Sequence, residues 1–356
     1  MIQQRVLNLQ KKINSGQAVI ITSESNRFYF TGFHSSAGTV VITKNNAFFI
    51  IDFRYYEKAK DTVSCCKVLL ADTLYASINE ILKSENVKKI YIETDTVNLD
   101  QFKTYKNAFS DAEVTDDSEI SNYIKTLRSI KSDSEIANII KAQEYTDKTF
   151  NYILQRIDIG RTEKEIMLDM EFFMRGLGSE GVSFDFIVVS GKNSSLPHGT
   201  PTDKQIESGD FITMDFGAVY NGYRSDMTRT VAIRSVTDEM QTVYNTVLKA
   251  QKTALCSIKP GVICKETDKI ARDIIYNAGY KGCFGHGLGH SVGIEIHESP
   301  CFNTRDDTIL SSGTVMTVEP GIYIENKFGV RIEDMVLVTD TGYINLTKSK
   351  KDLIVI

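Results

Sequence analysis

The sequence predicts an α/β domain followed by a larger α+β domain. Three observations carry that expectation. The chain has 356 residues, more than one typical domain. Up to about residue 120, short β-rich runs alternate with helical stretches. Beyond that point, long helical stretches alternate with glycine-punctuated strand pairs, and all five prolines (Pro197, Pro201, Pro260, Pro300, Pro320) lie there.

In the first domain, 17–23 (QAVIITS), 39–43, 47–51 and 87–93 (VKKIYIE) read as strands, and 73–84 as a helix. The polar stretch 115–121 closes this domain, which is taken as 1–125, with 126–356 as the second. Ser132–Glu135 (SDSE) is a capping signal ahead of a helix over 136–153. Further helices are expected over 163–177, 238–257 and 265–278.

Composition narrows the classes. Apolar residues make up 42% and charged residues 24%, ordinary for a globular protein that builds its core without disulfides. A net charge of -5 and a single short lysine run near 348–351 argue against nucleic acid. Neither a signal peptide nor a membrane-length apolar segment is legible. Six cysteines without a CxxC pair read as free thiols, so the cytoplasm is the expected compartment.

The chemistry begins at a hairpin. FITMDFGAVY (211–220) and YRSDMTRTVAI (223–233) read as strands joined by Asn221-Gly222, a type I′ turn signal. That turn sets Tyr220 opposite Tyr223, Gly217 opposite Asp226 and Asp215 opposite Thr228. Asp215 and Asp226 then share a face as diagonal neighbours, Cβ atoms roughly 7 Å apart. Alone, they could be two solvent-facing carboxylates, although aspartate is depleted inside strands.

Four of the five histidines sit in short glycine- or proline-rich motifs: His198 in SSLPHG, His286 and His290 in GHGLGH, and His297 in IEIHESP. Glu319 ends an apolar strand in TVEPGIY. A strand over 329–336 (GVRIEDMV) turns Arg331 and Glu333 to one face and Ile332 and Asp334 to the other. Asp215, Asp226, His290, Glu319 and Glu333 together offer four carboxylates and one imidazole. That set is too oxygen-rich for structural zinc, and its four charges balance two divalent ions.

With their order and spacing, MDFGAVYNGYRSDMTRT, GHGLGHSVGIEIHESP, VEPGIY and RIED resemble the metallopeptidase family of Xaa-Pro aminopeptidases, Xaa-Pro dipeptidases (prolidases) and methionine aminopeptidases. The resemblance implies a pita-bread catalytic domain and two divalent ions, manganese first, with cobalt, zinc or iron also suited. Asp215, Asp226, His290, Glu319 and Glu333 match metal ligands. His198, His286 and His297 match substrate-facing histidines, Glu319 doubles as the proton carrier, and Tyr323 and Arg331 match groups lining the cleft. In the first domain, NRFYFTGFHSSAG (26–38) and DFRYYEKA (52–59) resemble the domain preceding the catalytic one in proline-specific members. The second segment is more similar to aminopeptidase P than to prolidase, apart from Lys58 where a glutamine is common.

The expected function is therefore Xaa-Pro aminopeptidase, acting on peptides with proline in second position as a homodimer. Arg54, at the end of a strand, is expected to hold the peptide beyond the proline. The alternatives are a strict Xaa-Pro dipeptidase, a metal-free creatinase-like hydrolase, which the intact ligand set disfavours, and a non-enzymatic peptide-binding relative.

Overall fold

A computed structural model describes residues 2–356, which divide between Arg128 and Ser129 into two compact units. The first unit holds a six-stranded mixed sheet. Its strands are β1 (Gln17–Ile21), β2 (Thr39–Thr43), β3 (Ala47–Ile51), β4 (Lys67–Leu70), β5 (Lys89–Ile92) and β6 (Glu113–Thr115), in the order β4-β3-β2-β1-β5-β6. Helices α1 (Ile2–Lys12), α2 (Glu24–Thr31), α3 (Phe53–Thr62), α4 (Leu74–Ser84), α5 (Leu99–Ala108) and α6 (Glu119–Ser129) complete it. Ile20, Val41, Ile50 and Ile90 from the sheet pack on Ile78, Ile81 and Leu82 of α4 and on Phe109. Each such burial contributes about 1.5–3 kcal/mol.

Two local expectations change here. Asp52 does not end a strand: its side chain caps the first turn of α3, accepting from the Arg54 backbone at 2.9 Å. The polar stretch 115–121, expected to close the first domain, runs from β6 into a further helix: Asp117 accepts from the backbone N–H of Glu119 at 2.8 Å as α6 begins.

The second unit repeats a theme of two helices on a sheet. In one half, α7 (Asp133–Ile153) and α8 (Glu163–Gly176) cover β7 (Ile187–Ser190), β8 (Phe211–Phe216) and β11 (Met227–Ala232). In the other, α9 (Asp238–Ser257) and α10 (Cys264–Asn277) cover β12 (Gly289–Ser291), β13 (Glu298–Phe302), β14 (Val315–Val318), β17 (Asp334–Val338) and β18 (Tyr343–Asn345). Reciprocal capping boxes start α7 (Ser132 with Glu135) and α8 (Thr162 with Glu165).

Residues β9 (Val219–Tyr220) and β10 (Tyr223–Arg224) extend the β8–β11 hairpin to its turn. Asn221 and Gly222 both have positive φ, 47° and 75°, as a type I′ turn requires. The register is the expected one, with Tyr220 opposite Tyr223 and Asp215 opposite Thr228. The regular ladder lapses between these pairs, at Gly217–Ala218 and Ser225–Asp226, although the Ser225 N–H still donates to the Ala218 carbonyl at 3.0 Å and the register is the same on both sides. A Cβ on Gly217 would lie 1.9 Å from the Ser225 carbonyl, so only glycine allows this approach.

The expected strand over 329–336 is two strands. Phe328–Arg331 (β16) pairs with Gly321–Ile324 (β15), whereas Asp334 begins β17 beside β14. At the break, the Glu333 N–H donates to the Thr228 carbonyl of β11 at 3.1 Å. The chain thus changes partner strands where two of its functional side chains sit. None of the described helices is long and apolar enough to cross a membrane. All six cysteines are free.

Candidate active site

The β8–β11 hairpin, the β16–β17 junction and the β12 and β14 strands meet at a cavity of about 880 Å³. Asp215 on β8, Asp226 before β11 and Glu333 between β16 and β17 are all buried, with carboxylate oxygens within 4.8 Å of one another. Three anions packed so closely out of water repel strongly. Burial first, then the charges of Glu333, Asp215 and Glu319, push Asp226 well above the ordinary carboxylate range. Burial, then Glu319 and Asp215, do the same to Glu333.

One oxygen of each of two members is tethered and the other is not. Asp215 Oδ2 accepts from Arg331 at 2.5 Å, while its Oδ1 is buried without a hydrogen-bond partner. Glu333 Oε2 accepts from Thr228 Oγ1 at 2.8 Å, while its Oε1 is equally orphaned. Orphaned buried carboxylate oxygens are rare and need an explanation. Tethered ligands with one free oxygen each are what cation sites present.

His290 and Glu319 complete the set. His290 Nδ1 lies 3.2 Å from the Ser291 carbonyl, which only accepts, so Nδ1 carries the proton. Nε2 then faces the carboxylates, 3.3 Å from Glu319 Oε1 and 3.6 Å from Asp226 Oδ2: protonated, it donates to Glu319, and without that proton its lone pair is open to a cation. Burial works against the His290 charge, but the hydrogen bond and charge of Glu319 outweigh it and raise the pKa. Burial likewise works against the Glu319 carboxylate, but His290, His286 and Arg331 hold it at about 2. Thr317 Oγ1, which accepts from the His290 N–H at 3.0 Å, donates to Glu319 Oε1 at 3.2 Å. The donor set therefore fits divalent cations: four carboxylates, one imidazole with Nε2 presented, and two orphaned oxygens.

Arg331 is the keystone of the wall. It is buried and donates to Asp215, to Thr228 Oγ1 at 3.0 Å, to the Pro197 carbonyl at 3.0 Å and to the Tyr323 hydroxyl at 2.8 Å. Its ion pair is with Asp215, not with Glu333. The Tyr323 oxygen is also 2.8 Å from His286 Nε2, and His286 Nδ1 is 2.8 Å from the Gly287 carbonyl. Burial pushes the Tyr323 hydroxyl up to about 12 and lowers His286. Both groups are neutral at pH 7, and the network then has one consistent direction. Arg331 donates to Tyr323, Tyr323 donates to His286 Nε2, and His286 Nδ1–H donates to Gly287.

The expected histidines divide accordingly. His286 lines the cavity with both ring nitrogens engaged, so it presents a ring edge rather than a free nitrogen. His198 and His297 line the same cavity and are exposed in it. The His297 ring stands edge-on to His290, centroids 4.5 Å apart, and burial followed by the His290 charge lowers its pKa. Phe184, Phe186, Ile187 and Ile296 supply an apolar wall. Arg54 belongs to the first unit, where it forms a two-pronged pair with Asp52, at 3.0 and 2.7 Å. Sequence reasoning overlooked Thr228 and Thr317. The hairpin register placed Thr228 opposite Asp215, the one available signal of its position.

The profile of metallopeptidase family M24 matches residues 137–340, which include every one of these cavity residues, and that of the creatinase/prolidase N-terminal domain matches 5–130. The chain belongs to family M24. Membership makes it a metal-dependent hydrolase of the pita-bread fold. It is 40% identical to the Xaa-Pro dipeptidase of Pyrococcus furiosus, over 96% of each chain. Two solved structures resemble it over nearly their whole length. One is an Xaa-Pro dipeptidase from Bacillus anthracis, with TM-score 0.95, 40% identity and 100% of both chains covered. The other is an X-Pro aminopeptidase from Thermotoga maritima, with TM-score 0.90, 37% identity and 98% and 99% of the chains covered.

Proposed function

We propose that this M24 enzyme is an Xaa-Pro dipeptidase, hydrolysing the bond between an N-terminal residue and a C-terminal proline. This shifts the aminopeptidase expectation drawn from the 52–59 segment. The support is full-length likeness to proteins named Xaa-Pro dipeptidase, which outweighs one short segment. The observation that carries the chemistry is the buried carboxylate cluster with two orphaned oxygens, opening on a cavity sized for a small peptide. The Thermotoga relative keeps the aminopeptidase as a second reading.

Asp215, Asp226, His290, Glu319 and Glu333 would hold two divalent ions, manganese first and cobalt, zinc or iron as substitutes. When bound, such a pair supplies a nucleophile at neutral pH and Lewis-acid polarisation of the scissile carbonyl. The rest falls to the chain's own side chains. An Xaa-Pro bond is a tertiary amide, so its departing secondary amine must gain a proton. Glu319 is an anion at neutral pH, and its Oε2 carries neither the Thr317 nor the His290 bond. It can take a proton at Oε2 and pass it to the proline nitrogen. His297, neutral through its lowered pKa, donates a hydrogen bond to the carbonyl oxygen as charge develops there. His198 frames the proline side.

The enzyme would work in the cytoplasm as a homodimer; free cysteines support the first, and the second rests on the resemblance. Arg54 is retained as a contact for peptides longer than two residues. The test is a length series with metal-loaded enzyme: Leu-Pro, Leu-Pro-Gly and longer peptides. Higher kcat/KM on Leu-Pro supports the dipeptidase, and the reverse order returns the assignment to aminopeptidase. Unchanged KM for the longer peptides in Arg54→Ala makes that residue a surface pair with Asp52.

A further inference from the structure

Glu163, the first residue of α8, is fully buried and makes no contact with the metal-ligand set. Its carboxylate receives bonds from both feet of one loop. Ser190, at the end of β7, donates through its N–H at 2.6 Å and its hydroxyl at 2.8 Å, both to Oε1. Thr202 donates through its N–H at 2.9 Å and its hydroxyl at 2.7 Å, both to Oε2. Asn193 adds a forked pair at 3.2 and 3.3 Å. A carboxylate has about four lone-pair sites, and the four shortest bonds fill them.

The loop so clamped, 191–201, carries Pro197 and His198 at its crest. Leu196 beside them is 56% exposed, so solvent rather than packing surrounds the tip. Among the described residues, two further bonds tie the crest inward: Ser194 Oγ accepts from the Gly329 N–H at 2.9 Å, and the Pro197 carbonyl accepts from Arg331 at 3.0 Å. A buried anion spent wholly on main-chain and hydroxyl donors of one loop is costly unless the loop's position matters.

We infer that Glu163 is a positioning residue: it sets the height of the His198 loop over the cavity and acts on substrate only through that loop. The inference rests on the proposed proline-dipeptide reading for its activity readout. Glutamine at 163 would turn N–H donors toward the N–H of Ser190 or Thr202, breaking at least one foot while keeping shape and volume.

The experiment compares metal-loaded wild type, Glu163→Gln, His198→Ala and the double variant on Leu-Pro. Glu163→Gln is expected to lose roughly tenfold or more in kcat/KM, since small misplacements of a cavity group are costly. Metal content should not change. The double variant should be no slower than His198→Ala, because the two losses share one route. Losses that multiply, or a Glu163→Gln rate equal to wild type, overturn the inference. Ser190→Ala removes a single bond and serves if Glu163→Gln does not fold; a smaller, equally non-additive loss is expected, and an additive one refutes. Histidine-selective labelling supplies a readout independent of turnover. In Glu163→Gln the His198 ring resonance should move and that of His34 should not. If wild type fails to cleave Leu-Pro, the substrate reading falls, and the His198 resonance alone decides: an unmoved signal overturns the positioning role.

Discussion

Replacing Tyr323 with phenylalanine removes one oxygen from the cavity wall and keeps the ring. That oxygen joins Arg331 to His286, with both partners at 2.8 Å. The bond from the guanidinium is charge-assisted, worth about 1.5–3 kcal/mol, and the bond to neutral His286 about 0.5–1.5 kcal/mol. Part of this is recovered. Arg331 keeps Asp215, Thr228 and the Pro197 carbonyl, and His286 is only half-buried, so water can reach its Nε2. A net loss of about 1.4–2.7 kcal/mol of transition-state stabilisation remains, or 10- to 100-fold in kcat/KM. Proline release from Leu-Pro by metal-loaded enzyme measures it, with metal content determined on the same samples. Metal content should stay at the wild-type level, because the Arg331–Asp215 pair survives. A kcat/KM within about twofold of wild type would show that the Arg331–Tyr323–His286 chain does not organise the cavity. A loss traced wholly to missing metal would refute the argument equally.

Other outcomes follow from the same geometry. Exhaustive chelation should abolish hydrolysis, and about two equivalents of manganese per chain should restore it; full activity in verified metal-free enzyme would exclude the metal mechanism. Glu319→Gln should stop turnover, and measurable wild-type rates would exclude Glu319 as proton carrier. His297→Ala should keep its metal and lose roughly 10²-fold in kcat, as expected for a lost oxyanion donor; an effect confined to KM would make His297 a binding group only. Asp334→Asn leaves Arg229 without its buried counter-charge, although the carbonyls of Thr228, Glu333, Ser349 and Lys350 still solvate it. The cost should be about 3 kcal/mol, seen as a fall in Tm of about 6–12 °C for the catalytic unit. Burial opposes the Asp334 charge, but Arg229 and Lys351 more than compensate and lower its pKa. Its contribution is therefore present above the ordinary carboxylate pKa and lost as pH falls through the lowered value. Asp334→Asn should flatten the acid limb of the stability profile, and an unchanged limb would refute the linkage.

Local chemistry was enough for much of this protein. Asn221-Gly222 favours a turn with positive φ at both residues, and that turn sets the register that brings Asp215 opposite Thr228. The Ser132–Glu135 capping box and the helix over 238–257 are equally local, since they depend on residues within one turn of each other. The residue types of the candidate ligand set were legible because four carboxylates among apolar strands have few other uses. What only the tertiary structure decided involves partners distant in the chain. The switch of ladders at Ile332–Glu333 follows from a backbone bond to Thr228, which alternation of side chains cannot register. Both ring nitrogens of His286 are spent because Tyr323 and Gly287 reach it, so a histidine expected to face substrate is held in place by its neighbours. Glu163 reads as an ordinary first-turn glutamate, stabilising any helix N-terminus. Its role over the His198 loop exists only because folding buries it between Ser190 and Thr202, where a carboxylate without those donors would not be tolerated.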